Sequence, residues 1–441
     1  MKNEILIKNA TIYTGGETGK LLKGYSLLIE GNKIKKIWKG KNFKNKYSKV
    51  IDAKGKLLMP GFINAHMHFY STFARGIYKV KPSKNFMEIL ENLWWKLDKK
   101  LDNEASYYSA LIPLIDSIKK GTTTLIDHHA SPYNIKGSLF KIEKAVKDSA
   151  LRGVLCYEVS DRDGQDKTQE GIRENLDFIE YAQKKGDDQI KAMFGLHASF
   201  TLSDETLEKA AAYEKQFGCG FHIHCAESQS DQLNCEVTRK MRVAERLNKF
   251  GILGPKTILA HCVHVNDYEL SIIKDTNSAI VHNPQSNANN GVGIADIVKM
   301  SENGILFGLG TDAMTVNMLE ELRSGLWLQH LKHNPSKGFN EICKALIENN
   351  PKIANRYFGG LGEIKEGYYA DIILIDYMPC TPLENENFYS HLVFGISQSA
   401  VDTTIANGKI LMENKKLKLD IDEEEINKKS IEIAKKIWKE F

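Results

Sequence analysis

No stretch of this 441-residue chain is apolar enough, for long enough, to cross a bilayer. The opening MKNEILIKNATIYTGG lacks the apolar core of a signal peptide, so the expected compartment is the cytoplasm. Charge of one sign never accumulates. The chain holds 60 Lys and Arg against 56 Asp and Glu, a formal charge of +4, with Lys and Glu interleaved. The absence of a basic block argues against a nucleic-acid partner. Cysteine is sparse: seven residues scattered from Cys156 to Cys380 without paired spacing, best read as reduced thiols. What remains is an ordinary globular composition, 42% hydrophobic and 26% charged. The length exceeds one compact core of usual size and suits a large barrel plus a small domain.

The two ends of the chain are written in one style. ILIKNATIYTGG, YSLLIEGNKIKKIW and VIDAKGKLLMPG are short strand patterns separated by Gly and Asn turns, the signature of a small antiparallel sheet. YYADIILID and TTIANGKILME repeat that style late, the second with an Asn407-Gly408 hairpin turn. The final EEEINKKSIEIAKKIWKEF places Ile426, Ile433, Ile437 and Phe441 near helical spacing, an amphipathic helix packed on the surface. A membrane role is not expected of it.

The middle alternates apolar strands with helical stretches. The strand candidates are GFINAHMH, TTTLIDHH, GVLCYEVS, IKAMFGLHA, GFHIHCAE, TILAHCVH, SAIVHNP and ILFGLGTD. Eight such β/α units imply a closed parallel barrel, whose active site forms at the C-terminal ends of the strands. In FINAHMH, a strand alternates faces with period two, so His66 and His68 point the same way. His128 and His129 end the second strand, His197 the fourth, His224 the fifth, His261 the sixth, His282 the seventh and Asp312 the eighth. Nothing polar marks the end of the third. Metal-capable groups thus recur at one rim, whereas chance would scatter the histidines among helices and loops.

In this order PGFINAHMHFYS, HIHCAE, LAHCVH, VHNPQSN and GLGTDA resemble the amidohydrolase superfamily, in its cytosine-deaminase and chlorohydrolase-like (ATZ/TRZ) branch. HFYSTFARGI, NLWWKLD and TLIDHHASP are similar to the SsnA group of aminohydrolases within it. The resemblance covers nearly the whole chain. It implies a (β/α)8 TIM barrel over residues 59–358 and a small β-sandwich domain assembled from both termini, 1–58 and 359–441, the latter with the terminal helix.

It also implies a metal site of His66, His68, His224 and Asp312. Imidazoles with one carboxylate suit Zn²⁺, with Fe²⁺ or Mn²⁺ as alternatives. His222 shares a strand face with His224 but lies further from the rim, so it is assigned to the barrel interior. Dinuclear members use a bridging lysine or acidic residue near the fourth strand. Here Lys191 stands at the start of that strand, not at the rim, so one divalent ion per chain is expected. A bound zinc lowers the pKa of its water from about 15.7 toward roughly 7. By resemblance Glu227, three residues after His224, is the proton shuttle, and His261 hydrogen-bonds the attacking water with Asp312 accepting its proton.

His197 matches a substrate-contacting position in related deaminases. Trp94 and Trp95 offer a stacking face for a flat ring, and Arg75 a partner for an anionic group or a structural ion pair. One of His128 and His129 is expected to line the pocket. Asn283, Ser286 and Asn287 are expected to fix the seventh loop. The reaction implied is hydrolytic deamination of an amino-substituted purine, pyrimidine or triazine. Chlorohydrolase-type dehalogenation or N-dealkylation by the same site is the alternative. The expected partner is a small heterocycle, with no nucleic acid or membrane; homodimers are common in the family.

Overall fold

The computed structural model describes residues 4–40 and 47–441. Strands β1 (Glu4–Tyr13), β2 (Leu21–Glu30), β3 (Lys33–Lys39), β4 (Lys49–Asp52) and β5 (Leu57–Pro60) come from the N-terminal segment. They join β15 (Ile372–Ile375), β16 (Val401–Ala406), β17 (Lys409–Glu413) and β18 (Lys416–Leu417) in one nine-stranded sheet ordered β18-β17-β16-β15-β5-β1-β2-β3, with β4 on β1. The seam between the two ends of the chain is the antiparallel pair β5–β15, with Met59 opposite Ile373. Alternation of apolar residues along β1, β2 and β15 buries Ile5, Ile7, Ile12, Leu27, Ile29, Ile372 and Leu374 in a common core. The β16–β17 hairpin turns at Asn407 (φ 51°) and Gly408 (φ 71°), the left-handed pair that a two-residue turn requires.

Between them lie β6 (Phe62–Met67), β7 (Thr122–Asp127), β8 (Arg152–Leu155) and β9 (Ile190–Ala192), a parallel sheet. A second parallel sheet follows: β10 (Phe194–Ala198), β11 (Phe221–Cys225), β12 (Ile258–His261), β13 (Ala279–His282) and β14 (Phe307–Leu309). Helices separate successive strands, except β9 and β10, which are joined through Met193. All residues of these nine strands are buried except Lys191 and Ala192, which accounts for their near-continuous apolar runs.

The two sheets meet at both edges. Val159 bridges Leu196, and the Val159 N–H donates to the Gly195 carbonyl (3.2 Å). At the other edge Met67 bridges Asp312, with Asp312 N–H donating to His66 O (3.0 Å) and His68 N–H to Asp312 O (3.3 Å). Asn350 stitches that edge. Its Oδ1 accepts from Leu309 N–H (2.7 Å), and its Nδ2 donates to Ile63 O (2.6 Å) and Leu309 O (2.9 Å). The arrangement is a TIM-barrel-like α/β fold.

The fourth predicted strand differs from the expectation. It breaks at Met193, so β9 pairs with β8 and β10 with β11. The terminal helix Glu423–Trp438 buries Ile426, Ile433 and Ile437, and it packs on the helix Asn103–Lys120 rather than within the terminal sheet. Lys429 pairs with Glu104 at 3.0 Å, and Trp438 Nε1 donates to Phe73 O (2.7 Å), so the helix braces the turn Phe69–Ala74 that follows β6. Among the described residues no helix is long and apolar enough to cross a membrane.

Candidate active site

The strands deliver their polar ends to one place. His66 lies near the end of β6 and His68 just past it, His224 is the penultimate residue of β11, His261 ends β12, and Asp312 follows β14. His68 Nε2 lies 3.1 Å from His224 Nε2 and 3.1 Å from Asp312 Oδ1, and His66 Nε2 lies 3.4 Å from the same oxygen. His66, His224, His261 and Asp312 all bring a ligand atom within 4.8 Å of one another, as do His66, His68, His128 and His224. All are buried.

Each imidazole is turned by its other nitrogen. His68 Nδ1 donates to His128 O (2.5 Å) and His224 Nδ1 to His197 O (2.9 Å). His66 Nδ1 is paired with His222 Nε2 at 2.8 Å, which puts His222 below the site. Backbone and neighbour contacts of this kind fix the tautomer and leave Nε2 free as a ligand. His66 Nε2 has no hydrogen-bond partner at all.

The electrostatics call for a cation here. Three Nε2 atoms and a carboxylate converge with neighbouring separations of about one tetrahedral edge, which is about 3.3 Å for metal–ligand bonds near 2.0–2.1 Å. Burial disfavours a charge on His68, but Asp312, Glu158 and Asp127 outweigh it and push the group up to about 9. Burial and the neighbouring His68 hold His66 down to about 4. Burial would raise Asp312, yet His66 and His68 hold it well below the usual carboxylate range. The cluster therefore stabilises one positive charge at its centre. Three Nε2 atoms and one carboxylate are a donor set suited to zinc.

Asp312 is aimed by Ser286, whose hydroxyl donates to its Oδ2. His261 Nδ1 donates to Asn287 Oδ1 (2.7 Å), leaving Nε2 at 3.5 Å from Glu227 and 3.8 Å from Asp312. Ser286 and Asn287 thus position two site residues from the seventh loop. Glu227 takes a bond from Asn290 Nδ2 (3.3 Å), and burial pushes its carboxyl up to about 7. The backbone here is strained. Ala226 (φ 47°), His261 (φ 75°), Cys262 (φ 49°) and Asp312 (φ 51°) all occupy the left-handed region, which side chains other than glycine rarely adopt.

A narrow cavity of about 40 Å³ opens onto the cluster, lined by His68, His197, His224, Glu227 and Asp312, with Trp94, Trp95, Phe86 and Phe200 as an aromatic wall. Trp94 closes the π-helical turn Leu90–Trp94, a distortion common at functional sites.

Two expectations fall outside this cavity: a pocket-lining place for His128 or His129, and an anion-pairing role for Arg75, which forms the structural ion pair instead. The Arg75 guanidinium is largely exposed, 3.5 Å from Asp116, and lines a neighbouring cleft rather than this cavity. His128 is enclosed among the rings of His66, His68, His222 and His224 and does not reach the cavity lining. His129 turns away to Ser131 Oγ (3.0 Å). Charge and stacking explain both outcomes: Arg75 meets an acid in water, and His128 packs among the other imidazoles.

Glu158 was missed. It stands three residues beyond β8, held by its N–H on His129 O (2.7 Å), and lines the cavity. Its carboxylate lies 3.5 Å from His128 Nδ1, 3.6 Å from His197 Nε2 and 3.9 Å from His68 Nδ1. The available signal was an acid inside the otherwise apolar run GVLCYEVS.

Buried imidazoles and one carboxylate at the C-terminal rim of parallel β/α units define a metal-dependent hydrolase. The model of the Amidohydrolase family matches residues 57–411. The chain belongs to that family, hydrolases acting on carbon–nitrogen bonds. It is 36% identical to a 5'-deoxyadenosine deaminase of Methanobrevibacter smithii, over 97% of this chain and 97% of the relative. It is 32% identical to a 5-methylthioadenosine/S-adenosylhomocysteine deaminase of Halothermothrix orenii, over 98% and 99%. A zinc-bound adenosine deaminase structure from Xanthomonas campestris superposes with a TM-score of 0.85 at 18% identity, covering 98% of both chains.

Proposed function

We propose that the chain is a hydrolytic deaminase that releases ammonia from an amino-substituted heterocycle at a single divalent metal ion, most suitably zinc. Two observations support this reading: the convergence of three oriented Nε2 atoms with Asp312, and the buried Glu227 beside them. His66, His68, His224 and Asp312 hold the ion. When bound, it supplies Lewis acidity and a water nucleophile at neutral pH. Glu227, with its carboxyl near neutrality, carries a proton from the nucleophile to the ring nitrogen and then to the departing amine. His261, oriented by Asn287, faces both Glu227 and Asp312 and keeps that proton path in place. Trp94 and Trp95 exclude water and offer flat surfaces to a ring.

The bonds across both sheet edges support closure into a (β/α)8 barrel spanning 59–358. The terminal sheet of 1–58 and 359–441 forms the small domain, sandwich-like as in the family.

The test is a panel of aminated purines, pyrimidines and triazines, including 5'-deoxyadenosine, with their chlorinated analogues, assayed for ammonia and chloride with metal-loaded protein. At least one compound should release ammonia, chelator should abolish the release, and zinc should restore it. Elemental analysis should give about one divalent ion per chain. Chloride release without ammonia would replace deamination by dehalogenation, and neither release would refute both.

A further inference from the structure

Glu158 and His197 form an acceptor pair that the reaction itself does not use. The Thr201 hydroxyl donates its one hydrogen to Ala198 O (3.1 Å), so its oxygen accepts from His197 Nδ1 at 2.6 Å. His197 Nε2 is then a lone pair. It faces Glu158 Oε1 at 3.6 Å, too far for a hydrogen bond between them, and Glu158 Oε2 has no partner. Both groups are buried, and both line the cavity. No lysine or arginine lines it among the described residues. The buried Arg162 behind Trp95 pairs with Asp98 and Asp163 and does not line the cavity.

Facing acceptors at a cavity wall suit a donor from the ligand. Glu158 lines the same cavity as His68, His224, Glu227 and Asp312, so it meets a ring seated there. An unprotonated 6-aminopurine nucleoside offers lone pairs at every ring nitrogen outside the glycosidic bond. Against this wall it would set acceptor against acceptor.

Resting on the deaminase reading above, we infer that Glu158 and His197 select heterocycles with a ring N–H edge, the cyclic amidine or guanidine of a guanine- or isocytosine-type base, over the all-acceptor ring of 6-aminopurine nucleosides. Glu158 is a specificity residue here, and Thr201 a positioning residue that sets the His197 tautomer.

The experiment is calorimetric binding to metal-loaded protein, which needs no turnover. The probes are 2-aminobenzimidazole and its donor-blocked 1-methyl-2-dimethylamino analogue, with 5'-deoxyadenosine alongside. Wild type should bind the first probe at least about tenfold more tightly than the blocked one. Glu158→Gln should reduce that ratio to below about threefold, because its amide N–H bonds His197 Nε2 and occupies the acceptor. Thr201→Val should also reduce it by freeing the tautomer, and it carries the test if Glu158→Gln loses metal or fold. An unchanged ratio in either folded, metal-loaded variant overturns the inference, as does a wild type that binds both benzimidazoles equally or prefers 5'-deoxyadenosine. Ammonia release with an unchanged ratio leaves deamination standing alone. A changed ratio with no ammonia from any compound leaves the donor preference and removes the deaminase reading.

Discussion

Asn350→Ala tests whether the metal site depends on the edge where the first and last barrel strands meet. His66 belongs to β6, His68 follows it directly, and Asp312 follows β14, so the ligands straddle that edge. The fully buried Asn350 side chain spans it with three bonds, to Leu309 N–H, Leu309 O and Ile63 O. Leaving the Leu309 N–H without an acceptor costs about 1–3 kcal/mol, and each lost carbonyl bond about 0.5–1.5 kcal/mol. The sum is about 2–6 kcal/mol, which for a chain of this length lowers Tm by roughly 2–6 °C. Asn349→Ala is the control, since its side chain reaches only Phe307 O (2.9 Å) and does not cross the edge. Thermal melts of apo and zinc-loaded protein, with metal content after dialysis, decide the matter. Asn350→Ala should lose both stability and zinc, Asn349→Ala little of either. A Tm within about 1 °C of wild type and full zinc retention would refute the argument.

Glu227→Gln keeps the side-chain volume and removes the proton carrier. It should retain metal and melting temperature while turnover falls at least ~10²-fold, and a near wild-type rate would remove Glu227 from the chemistry. Asp231 gives a pH signature. Burial pushes its carboxyl from 3.8 up to about 7, against one backbone bond from Ala226 N–H (3.0 Å). Between those values the folded protein holds a proton that the unfolded chain has lost, so this group's contribution to stability falls as pH rises. Asp231→Asn removes that dependence, and in denaturant titrations it should gain stability relative to wild type from pH 4 to pH 7, by at most ~4 kcal/mol. A pH-independent difference would show that Asp231 is ionised throughout.

Much of this architecture could be read in the letters, because parallel strands buried on both faces announce themselves as apolar runs and their polar ends mark the rim. Where His66, His68, His224, Glu227, His261 and Asp312 come together was legible for that reason. Pairing partners were not: nothing in IKAMFGLHA says that Ile190–Ala192 bonds to β8 while Phe194–Ala198 bonds to β11. Depth was also hidden. His128 and His129 look equivalent in sequence, yet one is enclosed by four other imidazoles and the other turns to Ser131. Glu158 escaped because a strand's end is defined by hydrogen bonding, and β8 stops at Leu155, three residues before the acid. Long-range docking set the rest: the terminal helix shows its apolar stripe, but not that the stripe lies on the helix Asn103–Lys120.

The left-handed backbone at Ala226, His261, Cys262 and Asp312 sets heat resistance against turnover. A side chain in that conformation costs roughly 1–2 kcal/mol, which glycine would not incur. At Ala226 and Cys262 glycine could recover part of that cost without removing a functional group. At His261 and Asp312 the same replacement would strengthen the empty fold and erase its chemistry. Repeated selection for thermal tolerance alone would therefore drive this fold toward a hardier descendant without the two side chains that face its metal-capable cluster.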